Sequence, residues 1–167
     1  MKHLFFYIIL LFSTLAFCQN NPFTKLQFDK VIIYDFSGGK GEEDYSIING
    51  KGKLAKSVIK EVTLDKNTIT TLNQKLESKK SYGAGTASCF EPHLGIVYYY
   101  KNKPVAHISI CMDCNRLESS KDIVAQHQGK NGEGKEVYYM LDGMSNSFRN
   151  YLNGLLKKYK FSHQIKK

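Results

Sequence analysis

The sequence predicts an α+β fold, with a mainly antiparallel sheet and two helices packed on one face. Three observations support this prediction. Runs rich in β-branched and aromatic residues alternate with polar turns, the links between these runs are short, and two segments carry apolar residues at helical spacing. Parallel neighbours would need crossovers of about a dozen residues or more, which such links do not provide.

The first predicted strand covers residues 30–36, where valine, isoleucine, tyrosine and phenylalanine dominate. A glycine-rich stretch ends it. A hairpin formed by residues 45–48 and 53–64 is expected next. The Asn49-Gly50 pair between them tolerates the positive φ angles that tight turns require.

Capping residues and apolar spacing predict the two helices. Asp65 can accept hydrogen bonds from the first N–H groups of a helix. Three apolar residues of that helix lie on one face: Ile69, Leu72 and Leu76. Ser145 can cap a final helix in the same way. The apolar face of this second helix is formed by Phe148, Leu152, Leu155 and Tyr159.

A second hairpin is predicted between the helices, from residues 95–100 and 105–111 around a polar turn. One face of its second strand is apolar and carries Ala106, Ile108 and Ile110; the other carries Val105, His107, Ser109 and Cys111. Residues 119–135 are polar and glycine-rich, so a loop that can include short structured segments is expected there. Residues 137–141 read as a further strand.

The first 18 residues have the features of a secretory signal peptide. Met1–His3 is basic, residues 4–12 are apolar without interruption, and small residues precede Gln19. This apolar run is too short to span a bilayer, which takes about 20 residues. The alternative is a lipoprotein anchored at Cys18, which is less favoured because a lipobox has a small residue where Phe17 stands. We therefore expect an exported protein, periplasmic or secreted.

Residues 19–167 are expected to form a single α+β domain with a basic tail from about residue 157. The formal net charge is +9, and five tail lysines account for much of it: Lys157, Lys158, Lys160, Lys166 and Lys167. The tail could make a weak contact with an anionic surface. We favour a frayed, solvated end. No later segment predicts a transmembrane helix, and no nucleic-acid reader motif is present.

Cleavage of the leader would leave three cysteines: Cys89, Cys111 and Cys114. The second hairpin brings the start of one strand beside the end of the next, so Cys89 and His93 are expected near the Cys-x2-Cys pair. The first interpretation is a disulfide from Cys89 to Cys111 or Cys114, because oxidising compartments favour disulfides. Closing this loop should stabilise the fold by about 3 kcal/mol, and one thiol would remain unpaired.

Two other chemistries fit the same residues. Three thiolates and one imidazole make a tetrahedral set suited to zinc, with the ligands Cys89, His93, Cys111 and Cys114. Alternatively, one cysteine of the Cys-x2-Cys pair attacks a substrate disulfide and the other resolves the intermediate. Thioredoxin-like enzymes carry such a pair in a βαβ unit, which is not predicted here. A c-type haem is excluded because Asn115 stands where the attachment motif has histidine.

The segment from Ser81-Tyr82-Gly83 through Cys89-Phe90-Glu91-Pro92-His93 to Ile110-Cys111-Met112-Asp113-Cys114-Asn115 resembles an uncharacterised family of small exported bacterial proteins. That family combines a Cys-x2-Pro element, a β-hairpin and a Cys-x2-Cys element with a short C-terminal helix. The resemblance covers about half of residues 19–167. It implies a bacterial, exported protein whose three cysteines belong to one site, and it brings no activity with it.

No complete catalytic motif is present in the sequence. We therefore expect a non-catalytic exported domain, stabilised by a disulfide or a metal at Cys89, Cys111 and Cys114, that binds an envelope or extracellular partner. An enzyme of a different class is the alternative. It would be an exported thiol–disulfide or zinc-dependent enzyme that uses Cys111, Cys114 and His93.

Overall fold

The computed structural model describes residues 22–39, 45–131, 134–136 and 138–165. It confirms the predicted fold class: a five-stranded antiparallel sheet with two helices. None of the described helices is long and apolar enough to cross a membrane. The predicted signal peptide, including Cys18, lies outside the described residues, as do Lys166 and Lys167.

The main sheet is formed by five strands: β1 (Lys30–Asp35), β2 (Lys60–Thr63), β4 (Leu94–Tyr100), β5 (Lys103–Cys111) and β6 (Arg116–Ser119). Their order across the sheet is β2-β1-β4-β5-β6. Two small sheets accompany it. One pairs β3 (Tyr82–Ala84) with β9 (Gly143–Met144), and the other pairs β7 (Gln128–Asn131) with β8 (Tyr138–Leu141).

Both predicted helices are confirmed, and each begins directly after its predicted capping residue. Helix α1 (Lys66–Leu76) begins after Asp65, whose carboxylate accepts a hydrogen bond from the Thr68 amide at 2.8 Å. Helix α2 (Asn146–Lys158) begins after Ser145, whose hydroxyl accepts from the amide of Phe148. Both helices pack on one face of the sheet, and together they bury Leu72, Leu76, Phe148, Leu152 and Leu156 in its main core.

The predicted second hairpin is confirmed as β4 and β5, with Leu94 opposite Ile110. Its turn is tighter than expected, because Lys101 and Asn102 alone connect the strands, both with positive φ. Ala106, Ile108 and Ile110 lie in the main core, as the alternation predicts.

The prediction of the first hairpin is wrong for its second strand. The turn at Asn49 forms, since its side-chain oxygen accepts from the amides of Lys51 and Lys53. Within residues 45–64, the turn is followed by an isolated bridge, Ile48 to Leu54, and by two backbone hydrogen bonds, from Asn49 to Lys53 and from Ala55 to Ile47, rather than by a continuous hairpin. Strand β2 pairs with β1 instead. The intervening segment covers the second face of the sheet with a smaller core that contains Ile47, Ile48 and Ala55 beside Ile32, Tyr34, Phe36 and Val97.

Short structure forms within the loop expected over residues 119–135. Ser119 ends β6, which is an edge strand of the main sheet, and β7 pairs with β8. Strand β8 was expected from residue 137; the structure describes it as Tyr138–Leu141, apart from the main sheet. Asn115 turns the chain between β5 and β6 with φ of 54°, a conformation that asparagine tolerates better than most residues.

Candidate functional site

One end of the main sheet gathers most of the residues that the sequence analysis singled out. Strands β1 and β5 end there, and β4 and β6 begin there. We call this region the disulfide end. It comprises residues 85–93 before β4, residues 111–116 around the turn from β5 to β6, and residues 161–165 after α2. The backbone of His93 ties the first segment to the end of β5, since its amide donates to the carbonyl of Ile110, the residue before Cys111, at 3.0 Å.

A disulfide links Cys89 to Cys114, which is one of the two pairings expected from the sequence. The two Cα atoms are 5.8 Å apart, across 25 residues of sequence. Cys89 is exposed and Cys114 is buried. A backbone hydrogen bond from the Ala87 amide to the Cys114 carbonyl, at 2.9 Å, reinforces this link. The disulfide therefore fastens an exposed loop to a buried turn.

Cys111 is the third member of the cluster and has a free thiol. The Cys111 residue is 1% exposed. Its sulfur accepts a hydrogen bond from the Cys114 amide at 3.2 Å. The accessible Cys111–Cys114 disulfide that a thiol–disulfide enzyme requires is therefore not the pairing in this structure. The three cysteines do lie in one cluster.

The zinc set of Cys89, His93, Cys111 and Cys114 needs three thiolates. Two of those sulfurs are joined in the disulfide and cannot ligate as thiolates in this state. Within the described ranges, no three His, Cys, Asp or Glu side chains are grouped so that they could hold a metal ion. The zinc set stays a prediction, and it would apply only to the reduced chain.

Two histidines stack at the disulfide end. The rings of His93 and His163 have centroids 3.9 Å apart and planes inclined by 19°. His93 Nδ1 lies 3.3 Å from the carbonyl oxygen of Phe36, and His163 Nε2 lies 2.7 Å from Asp113 Oδ2. His163 is not among the site residues predicted from the sequence. It is 50 residues from Asp113 in sequence, and no local pattern relates the two.

The stacked pair disfavours charge on His93. Burial lowers the pKa of His93 below its usual value, and the nearby His163 lowers it further. The carbonyl of Phe36 and the carboxylates of Asp113 and Glu91 act in the opposite direction without reversing the shift. The folded state therefore favours neutral His93.

This shift predicts that the protein loses stability on mild acidification. A histidine whose pKa is lower in the folded state contributes full stability above its unfolded pKa of about 6.5. That contribution is lost as the pH falls from there through the folded pKa. We expect His93→Gln to flatten the decline in urea unfolding midpoint below about pH 6.5. Burial also lowers the pKa of His107. His107→Gln serves as the comparison, and we expect it to flatten the same decline. An unchanged decline in His93→Gln would contradict the prediction.

The C-terminal segment is packed rather than frayed as far as residue 165, which differs from the favoured expectation for the tail. Phe161 is buried, and the carboxylate of buried Asp35 accepts hydrogen bonds from the backbone amide and the hydroxyl of Ser162. Ile165 donates its amide to Asn153 Oδ1 at 3.0 Å. These contacts hold His163 against the sheet.

Comparison of the chain with protein-family models, with curated proteins and with solved structures finds no match.

A groove lies beside the disulfide. It has a volume of about 550 Å³ and is lined by Thr86, Ser88, Arg116, Leu117, Glu118, Ser119, Met140 and Leu141. Arg116 binds Glu118 at 2.6 Å, and its guanidinium lies 5.1 Å from the centroid of the Phe90 ring. We call this groove together with residues 85–91 the loop–groove surface. The spacing of the cysteines does not predict this surface. One of its walls is strand β6, which is absent from the strands predicted from the sequence.

Proposed function

We propose that this chain is an exported, non-catalytic domain that binds an envelope or extracellular protein through the loop–groove surface. One observation carries the proposal: the Cys89–Cys114 disulfide fixes an exposed loop to a buried turn beside an open groove. Binding residues are found disproportionately on loops that a rigid scaffold positions.

The cross-links at the disulfide end favour recognition because they reduce the entropy lost on binding. A loop that is already ordered does not have to be immobilised by its partner. Besides the disulfide, the loop is held by the Asn115 side-chain amide, which donates to the Gly85 carbonyl at 2.9 Å. The groove volume lies within the usual range for binding clefts, about 300–1,000 Å³.

The lining supports a polypeptide partner. Met140 and Leu141 supply apolar surface, and Leu141 is 44% exposed. Thr86, Ser88 and Ser119 add hydroxyl groups, while Arg116 and Glu118 add both signs of charge. Protein interfaces combine an apolar centre with a polar rim and are enriched in methionine and arginine.

Export is the predicted context for this activity. The leader expected over residues 1–18 carries that prediction. A disulfide is consistent with it, because disulfides persist in oxidising compartments such as the periplasm or the extracellular medium.

Sedimentation with isolated cell envelopes of the producing organism tests the binding function. We expect the purified chain to co-sediment, and Arg116→Ala to weaken the binding at least about fivefold, because arginine is enriched among the hot-spot residues whose truncation costs more than about 1 kcal/mol. Lys51→Ala is the matched control, since Lys51 is exposed in the turn after Asn49. Equal binding of the two variants, or no binding by the wild type, would count against the loop–groove surface. Turnover of a substrate that disappears in Cys111→Ser would refute a non-catalytic role.

A further inference from the structure

The three cysteines occupy two different environments within one cluster. Cys89 is exposed on its loop, whereas Cys111 and Cys114 are 1% and 2% exposed. Cys114 is bonded to the exposed member and also contacts the buried one, since its amide donates to Cys111 Sγ at 3.2 Å. Cys114 is therefore adjacent to two alternative partners.

We infer that these cysteines form a disulfide relay, in which Cys114 exchanges Cys89 for Cys111 and Cys89 becomes an exposed thiol that captures a disulfide-bearing partner covalently. The relay goes beyond the proposed binding function. Each chain captures one partner molecule without turnover, and the capture does not require binding at the groove.

The exchange conserves atoms and electrons. The Cys111 thiol first gives its proton to water or a buffer base. Its thiolate then attacks Cys114 Sγ, so the Cys111–Cys114 bond forms, the Cys89–Cys114 bond breaks, and Cys89 leaves as a thiolate. In the second step the Cys89 thiolate attacks a partner disulfide. A mixed disulfide with Cys89 forms, and the displaced partner thiolate takes up a proton from water.

Contacts of the turn control the first step. Arg149 Nη2 donates to the Met112 carbonyl at 2.9 Å, and His163 Nε2 lies 2.7 Å from Asp113 Oδ2. Met112 and Asp113 are the two residues between Cys111 and Cys114. Both contacts hold in place the turn that separates the buried Cys111 from Cys114, and we expect the exchange to require movement of this turn. The relay is therefore slow in the native state and accelerates when one contact is removed.

Peptide mapping after alkylation distinguishes the relay from simple exposure of a thiol. Unreduced protein is incubated with N-ethylmaleimide, which reacts with thiolates, at about pH 8. We expect the label on Cys89 and a disulfide between Cys111 and Cys114. Label on Cys111 alone would overturn the relay. So would the absence of label over a time in which urea-unfolded protein reacts fully.

Two variants sharpen this experiment. His163→Ala removes the contact to Asp113, so we expect labelling of Cys89 to become severalfold faster; an unchanged rate would overturn the proposed control by the turn.

Cys89→Ser should form the Cys111–Cys114 disulfide on treatment with oxidised dithiothreitol, as shown by loss of both alkylatable thiols. Retention of two free thiols in folded Cys89→Ser would overturn the relay itself. With 5,5′-dithiobis(2-nitrobenzoate) as the partner disulfide, the wild type should form a mixed disulfide at Cys89.

Discussion

Reduction of the Cys89–Cys114 disulfide is expected to lower the free energy of unfolding by about 3 kcal/mol. The bond closes a loop of 25 residues, and it restricts the unfolded chain far more than the folded one. Apart from the disulfide, the exposed loop from Gly85 to Glu91 is held by the hydrogen bonds of the Ala87 amide and the Asn115 side chain and by the contact of Arg116 with the Phe90 ring. Urea unfolding with and without reductant measures this difference.

The control for this experiment is Cys89→Ser, measured in reductant. We expect its unfolding midpoint to match that of the reduced wild type, because the substituted side chain is exposed and makes no new contact. Equal midpoints for oxidised and reduced wild type would contradict the prediction. If the loop–groove surface binds as proposed, reduction should also weaken binding, since the loop would then have to be ordered by the partner.

Gly95→Ala should destabilise the fold by about 1–3 kcal/mol through overpacking. Gly95 lies in β4 opposite Tyr34 and Ser109. A Cβ atom at this position would lie 2.7 Å from the Cβ of Ile47, which is fully buried on the second face of the sheet. Ile47 cannot easily retreat, because its amide donates to the Ser109 hydroxyl at 2.9 Å. Thermal or urea unfolding measures the loss.

A matched substitution separates this clash from the general effect of adding a methyl group. Gly50 has no neighbouring atom within 4 Å of an added Cβ, so Gly50→Ala should leave stability nearly unchanged. Ile47→Ala keeps the Cβ of residue 47 but removes Cγ1, the atom that a Cβ at position 95 would meet most closely, and Cδ1, which would lie 2.8 Å away. Gly95→Ala should therefore cost less in an Ile47→Ala background than in the wild type. Equal costs in the two backgrounds would show that Ile47 is not the obstacle.

The elements that the sequence predicted are those encoded by local patterns. Asp65 and Ser145 are caps whose partners lie three residues away, and both make the predicted hydrogen bonds. Strands β4 and β5 are linked by two residues with positive φ, so their register follows from the turn and from alternation of apolar residues. Such signals need no knowledge of distant residues.

The elements that the sequence missed depend on long-range pairing. Strand β3 has only three residues, and it forms because β9 pairs with it. Strand β6 has only four residues and is defined by its pairing with β5. Segment 53–64 was expected to pair locally, yet its strand pairs with β1. In each case the partner is chosen by burial and backbone pairing across the fold, which override weak local propensity.

The candidate site shows the same division. The sequence alone predicts that Cys89 lies near Cys111 and Cys114, because a hairpin of predictable register separates them. It left open whether the cluster forms a disulfide, a metal site or a redox pair. Only the tertiary structure selected Cys114 as the partner of Cys89, brought His163 onto His93 and Asp113, and buried Asp35 against Ser162. The physical reason is that these contacts join segments distant in sequence, and their geometry is fixed by packing of the C-terminal segment and the turn at one end of the sheet.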